Sequence, residues 1–135
     1  MAAIIKPDFD HYALALIQGD RFVFTSEKLG LEPILECIEA CCGRYRDCTL
    51  HDRVFGLAAA RLVAPTELIR TLVTRAISKP ALTYIENKGI MVHTEAVVDR
   101  ILTRDGSRTC PGEVIALETD DPELFARRIR EMMNR

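Results

Sequence analysis

The segment Arg104-Asp105-Gly106-Ser107-Arg108-Thr109-Cys110-Pro111-Gly112-Glu113 holds the densest set of groups capable of chemistry in the chain. Proline suits the first position of a helix, so a helix starting at Pro111 would set the sulfur of Cys110 over free backbone amides. Arg104 and Arg108 lie close by in sequence, and together these conditions favour the thiolate. The loop then reads as a poised nucleophile or an anion-binding nest. Glu113, one turn on, would accept or return a proton. The plainer alternative is that Cys110 is a small capping residue, Glu113 closes a box onto its amide and the arginines are solvated.

A second polar mouth is read at Thr49-Leu50-His51-Asp52. From Asp52 to Ala64 the chain carries only Arg61 as a charge after its first two residues. A helix apolar on nearly every side must be buried on nearly every side. With Thr49 as cap and Asp52 as its box partner, this stretch is expected to be the central helix.

Two patterns in the sequence imitate metal sites. His93-Thr94-Glu95 followed by Cys110-Pro111-Gly112-Glu113 imitates the zinc-deaminase signature. In this chain, however, the proline follows the cysteine, Glu113 replaces the second cysteine, and the His-x-Glu falls at the end of a strand. Cys37, Cys41, Cys42 and Cys48 with His51 also have ligand-like spacing, but Cys41 and Cys42 fall on an apolar helical stripe, where reduced cysteine packs as a small hydrophobe. No metal and no cofactor is expected. His11 and His51 are read as surface or loop residues.

The elements that would position these groups follow from periodicity. Tyr12–Ile17 and Arg21–Thr25 read as a hairpin about Gln18-Gly19-Asp20. Leu31, Ile34, Leu35, Ile38, Cys41 and Cys42 form a helical stripe ended by Gly43. Leu68–Ile77 reads as an inner strand, Lys79–Lys88 as a helix capped by Ser78, and Ile90–His93 as the next strand, making a β-α-β unit. Glu113–Glu118 fits a short strand or a short helix, and Pro111 tilts it to helix. A last helix starts at Asp121-Pro122 and buries Leu124, Phe125, Ile129, Met132 and Met133.

With 135 residues, 48% hydrophobic, 28% charged and a formal net charge of -2, the chain is expected to be one domain (1–135, with 1–11 as lead-in). No basic face points to nucleic acid. The longest apolar runs fall short of the roughly 20 residues a membrane span needs, and no leader is read at the start. Five cysteines, an odd number, without an export signal imply reduced thiols and a cytoplasmic location.

Asp52-Arg53-Val54-Phe55-Gly56-Leu57-Ala58-Ala59-Ala60, Ile77-Ser78-Lys79-Pro80-Ala81-Leu82 and Arg104 through Cys110-Pro111-Gly112-Glu113 are collinear with motifs of an uncharacterised prokaryotic family that has the cytidine deaminase-like fold. The chain resembles that family from about Tyr12 to Met133, except that Leu57 stands where the family usually has a basic residue and Thr103 where it tends to have Asn. The resemblance implies an α/β fold, a three-layer α/β/α sandwich with a mixed sheet and no zinc signature. It also implies that two helix mouths face each other, here the starts at Asp52 and Cys110. The pocket expected is Asp52, Arg53, Gly56, Arg104, Thr109, Cys110 and Glu113, with Cys110, Glu113 and Asp52 as catalytic candidates and Arg53, Gly56, Arg104 and Thr109 as ligand contacts. The expected partner is a small anionic or nucleotide-like molecule, whether the domain is an enzyme using Cys110, a non-catalytic binding or regulatory module, or a zinc-dependent deaminase. Self-association is left open.

Overall fold

The computed structural model describes residues 5–135. Its frame is a five-stranded mixed sheet, ordered β2-β1-β3-β4-β5. Strands β1 (Leu14–Gln18) and β2 (Arg21–Ser26) are antiparallel and joined by Gly19-Asp20, where Gly19 takes φ +63°. A left-handed turn residue of this kind suits the twist of a hairpin. Helix α1 (Glu32–Cys41) buries Ile34, Cys37 and Cys41 as its periodicity requires.

The chain then enters β3 (Cys48–Phe55), antiparallel to β1 and parallel to β4 (Ile69–Ser78). Helix α2 (Leu57–Val63) and a 3-10 turn at Ala64–Thr66 make the crossover. Helix α3 (Lys79–Asn87) carries the chain on to β5 (Met91–Val98), which is parallel to β4. The Ser78 side chain accepts the Ala81 amide, so the expected cap of α3 is in place. Helices α4 (Pro111–Glu118) and α5 (Pro122–Met132) complete the described chain, the latter capped by Asp121 through the Leu124 amide. The helical alternative for Glu113–Glu118 is the one adopted.

Of the α5 residues expected in the core, Leu124 and Met132 are exposed, and three further expectations need correction. The apolar stretch beginning at Asp52 is not one helix, because its first four residues finish β3 and Gly56 is the cap of α2. Position 52 lies in the middle of the sheet, opposite Leu14 on one side and Thr74 on the other. Pairing on both flanks outweighs a local capping pattern, and Val54-Phe55 suit a strand. Thr49 and Asp52 therefore cap nothing.

The second correction concerns the layers. Residues of α1, α2 and α3 share one core with Leu14, Leu16, Leu50 and Leu72 of the sheet, and α4 and α5 pack onto α2 through Leu57, Ala58, Ala116, Phe125 and Ile129. All five helices thus belong to one side. The other face holds a smaller cluster, Phe9, Tyr12 and Ala15, contributed in part by the segment that precedes β1. The third layer of the expected sandwich is absent among the described residues.

The third correction is His51, which is fully buried in β3 rather than on the surface. Its Nδ1 lies 2.7 Å from the Tyr12 hydroxyl, which itself accepts the Asp8 amide at 3.0 Å. Neighbouring Arg53 donates to the carbonyls of Phe9 and, at 3.1 Å, Tyr12. Together these bonds fasten the leading segment across the sheet.

Burial lowers the His51 pKa below its ordinary value, with a weaker opposing pull from the Ile5 backbone. Folded His51 therefore stays neutral at a pH where the unfolded chain takes up a proton, so its contribution is complete above about 6.5 and is lost as the pH falls below that. We predict that the unfolding free energy of the wild type minus that of His51→Gln shrinks between pH 7 and 5 in urea titrations. A difference independent of pH would contradict the buried, neutral ring.

Candidate functional site

In open α/β sheets, ligands bind in the crevice beyond the carboxyl ends of parallel strands, where helix N-termini converge. Here that edge gathers the start of α2 after β3, the start of α3 after β4, and the Ile101–Cys110 loop with the start of α4 after β5. Glu113 stands at the meeting point and is 2% exposed. Its Oε1 accepts the Leu57 amide at 2.6 Å and the Ser78 hydroxyl at 3.2 Å, while Oε2 accepts the Ile101 amide at 2.7 Å.

One carboxylate from α4 therefore caps α2, joins the cap residue of α3 and pins the loop. The charge suits both helix mouths, since each presents the positive end of a helix dipole. Two expected mouths do come together, but they are those at Gly56 and at α4, not one at Asp52. Their junction is filled by Glu113 itself.

Gly56 lies in close quarters. A Cβ there would sit 3.1 Å from Ile101 Cγ1 and 3.2 Å from Glu113 Oε1, so the glycine lets the carboxylate reach the first amide of α2. Gly112 is similar, since a Cβ would come within 3.1 Å of Leu31 Cδ1. The Pro-Gly-Glu run is thus a packing requirement as much as a chemical one.

Cys110 is the cap residue of α4, half-buried, with its amide donating to the Ile101 carbonyl at 2.8 Å. No described side chain caps α4; Pro111 has no N–H and the Val114 amide bonds the Cys110 carbonyl at 3.1 Å, which leaves the Gly112 and Glu113 amides without an intrahelical acceptor. Beside them is a groove of about 400 Å³ lined by Arg108, Thr109, Pro111, Val114 and Ile115. The loop leading to it is ordered by Asp105, which accepts from the Thr103 hydroxyl and from the amide and hydroxyl of Ser107. These bonds hold the Asp105 carboxyl down at about 2. Arg104 lies exposed in the same loop.

Asp52 and Arg53 are elsewhere. Four residues of extended chain separate Asp52 from Gly56, roughly 13 Å along the strand. Burial raises the Asp52 carboxyl well above its ordinary value, and the opposing pulls of the Val54 and Arg53 amides and the Arg53 charge are smaller. Arg53 is spent on the leading segment on the helix-free face. Cys37, Cys41 and Cys48 pack in the main core, and the same burial pushes their thiols up. No three His, Cys, Asp or Glu side chains converge as a metal site among the described residues.

The roles of two residues were not read from the sequence. Ile101 seals the carboxylate and is an unremarkable loop hydrophobe by type. Arg61 reaches the carbonyls of Ala116 (2.8 Å) and Thr119 (2.5 Å) and lies 4.0 Å over the Phe125 ring, tying α2 to the end of α4. Its being the one charge in an apolar helix was the available signal.

A larger concavity, about 460 Å³, lies on the helix-free face between the leading segment and β4–β5. Its charges are mixed, with Lys6, Arg75 and His93 against Asp8, Asp10 and Glu95, so it has no evident preference for an anion.

The family profile "TM1506: Domain of unknown function (DUF1893)" matches residues 8–133. A crystal structure of a DUF1893 family protein, TM1506 of Thermotoga maritima, superposes with a TM-score of 0.75 at 26% sequence identity, covering 92% of this chain and 82% of that one. No curated protein matches. No described helix is long and apolar enough to cross a membrane.

Two outcomes are expected from substitution. Glu113→Ala strands the buried Leu57 amide and the half-buried Ile101 amide and should cost about 3 kcal/mol in denaturant unfolding, given roughly 1–3 kcal/mol per unsatisfied buried group. A loss under about 1 kcal/mol would contradict the bridging role. Asp52→Asn removes a carboxylate that is costly to ionise. Because its folded pKa is raised, ionisation weakens the fold as the pH rises above about 3.8. The variant should match or exceed wild-type stability at pH 7 and lose that advantage towards pH 4. A marked destabilisation at pH 7 would show that the carboxylate is held by favourable bonds.

Proposed function

We propose, for a chain that belongs to the DUF1893 family, a domain of unknown function, that it is a small-molecule binding module of the cytidine deaminase-like class rather than a zinc deaminase. The ligand is a small anion or a nucleotide-like phosphate. It binds in the groove beside the start of α4, with Arg108 of the lining and Arg104 of the same loop supplying charge, Thr109 a hydroxyl and the Gly112 and Glu113 amides the remaining donors. Pro111, Val114 and Ile115 provide an apolar wall for the rest of the molecule.

The observation that carries this reading is the state of Glu113. All three of its bonds go to the protein, so the most obvious proton carrier is committed to structure, while the donors at the mouth of α4 are not. The parallel β3-α2-β4-α3-β5 order, with both helix mouths at one edge, supports the deaminase-like comparison. A Cys110 nucleophile would have to act without Glu113 as its base.

The test is thermal unfolding with inorganic phosphate and with a nucleoside 5′-monophosphate. The midpoint should rise with the logarithm of ligand concentration. The rise should disappear in Arg104→Ala/Arg108→Ala and persist in Cys110→Ala, and bound ligand should slow alkylation of Cys110 by iodoacetamide. No shift with either anion at millimolar concentration, or a shift unaffected by loss of both arginines, would overturn the proposal.

A further inference from the structure

The two edges of the sheet are unequal. At β2 the pairing with β1 is interrupted by a register shift between Leu16 and Ile17, and irregularity of this kind discourages a further strand. At β5 the eight residues Met91–Val98 follow β4 without a register shift and contain no proline and no lysine. Among the described residues no strand lies beyond their outer main-chain groups. Met91 and Val97 are 61% and 44% exposed, and His93 and Glu95 are exposed between them.

The order of residues along this edge is self-complementary. Antiparallel pairing of two copies about a two-fold axis at Thr94 sets residue i opposite residue 188 − i, where 188 is twice 94. Met91 then meets Val97, Val92 meets Ala96, His93 meets Glu95, and Thr94 meets its own copy. Every pair is apolar with apolar, hydroxyl with hydroxyl, or imidazole with carboxylate, the combinations that favour cross-strand contact. Centring on Glu95 would oppose two carboxylates. Centring on His93 would oppose two imidazoles and put Met91 against Glu95. Centring between residues 94 and 95 would leave His93 against Ala96.

We propose that β5 is a homodimerisation edge, where two copies of the chain join antiparallel about Thr94 and extend their five-stranded sheets into one. The occupant is a second copy rather than a foreign strand because the edge matches itself in charge at a single register, as an isologous contact must. The two His93–Glu95 pairs fix that register. The Met91–Val97 pairs cover the largest exposed apolar side chains on the strand.

Light scattering coupled to gel filtration tests this on the full chain. The wild type should elute at twice the 15.2 kDa chain mass. His93→Glu places two pairs of carboxylates face to face and should give a monomer at the same loading, with unchanged far-ultraviolet circular dichroism. His93→Glu/Glu95→Lys restores opposite charges across the axis and should give the dimer again. Thr94→Cys should form a disulfide-linked dimer under mild oxidation faster than the wild type with its native thiols. A wild type that is monomeric at all concentrations, a dimer indifferent to His93→Glu, or equal crosslinking rates would each overturn the proposal.

Discussion

One buried carboxylate organises the candidate site. Glu113 sits where three segments end, and it accepts a hydrogen bond from each: the first amide of α2, the cap hydroxyl of α3 and the Ile101 amide of the loop. A charged group almost wholly removed from water is tolerable only when its lone pairs are occupied, and here both oxygens are. The two helix dipoles add to the compensation. Gly56 suits this arrangement, since a Cβ there would crowd the carboxylate and Ile101 at 3.1–3.2 Å. The close packing of Gly112 follows as well, because α4 must approach α2 and Leu31 for its third residue to reach across.

This constraint shapes what the edge can do. In many α/β proteins the mouths of the crossover helices receive a ligand. Here an internal carboxylate takes that position, and the free donors are displaced to the start of α4, next to Arg108 and Thr109. The opposite face of the sheet is governed by different forces. The Tyr12–His51 bond, the Arg53 bonds to the Phe9 and Tyr12 carbonyls and the aromatic contacts among Phe9, Tyr12 and His51 hold a short turn-forming segment where a helical layer was expected. The two faces therefore differ in composition as well as in cover.

Much of the architecture was legible because local and tertiary preferences agree. The hairpin at Gly19, the stripe of α1, the Ser78 cap and the Asp121 cap each satisfy both. Asp52 is the instructive failure. Thr49 and Asp52 have the spacing of a capping box, and nothing local distinguishes that from two positions of a strand. The decision lay with β1 and β4, which pair on either side of residues 48–55 and are remote in sequence. The same non-local pairing turned His51 inward. For the site, residue types placed Cys110 and Glu113 at a helix start, whereas Gly56, expected inside a helix begun at Asp52, is instead the cap of α2; family membership agrees with the resemblance of those motifs. The acceptor role of Glu113 was hidden because Ile101, 12 residues before it, is joined only through its backbone. A main-chain donor leaves no mark on side-chain composition.

The account rests on the carboxylate holding two amides that would otherwise be open. The first amides of a helix have no intrahelical acceptor, and loop amides exchange readily unless they are bonded. Residue-resolved hydrogen exchange on Leu57 and Ile101 is the most direct measurement. Both amides should be protected in the native protein to a degree comparable with the interior of α2. Exchange at the rate of exposed loop amides at either position would mean that Glu113 does not bridge these elements, and the description of the site would fail.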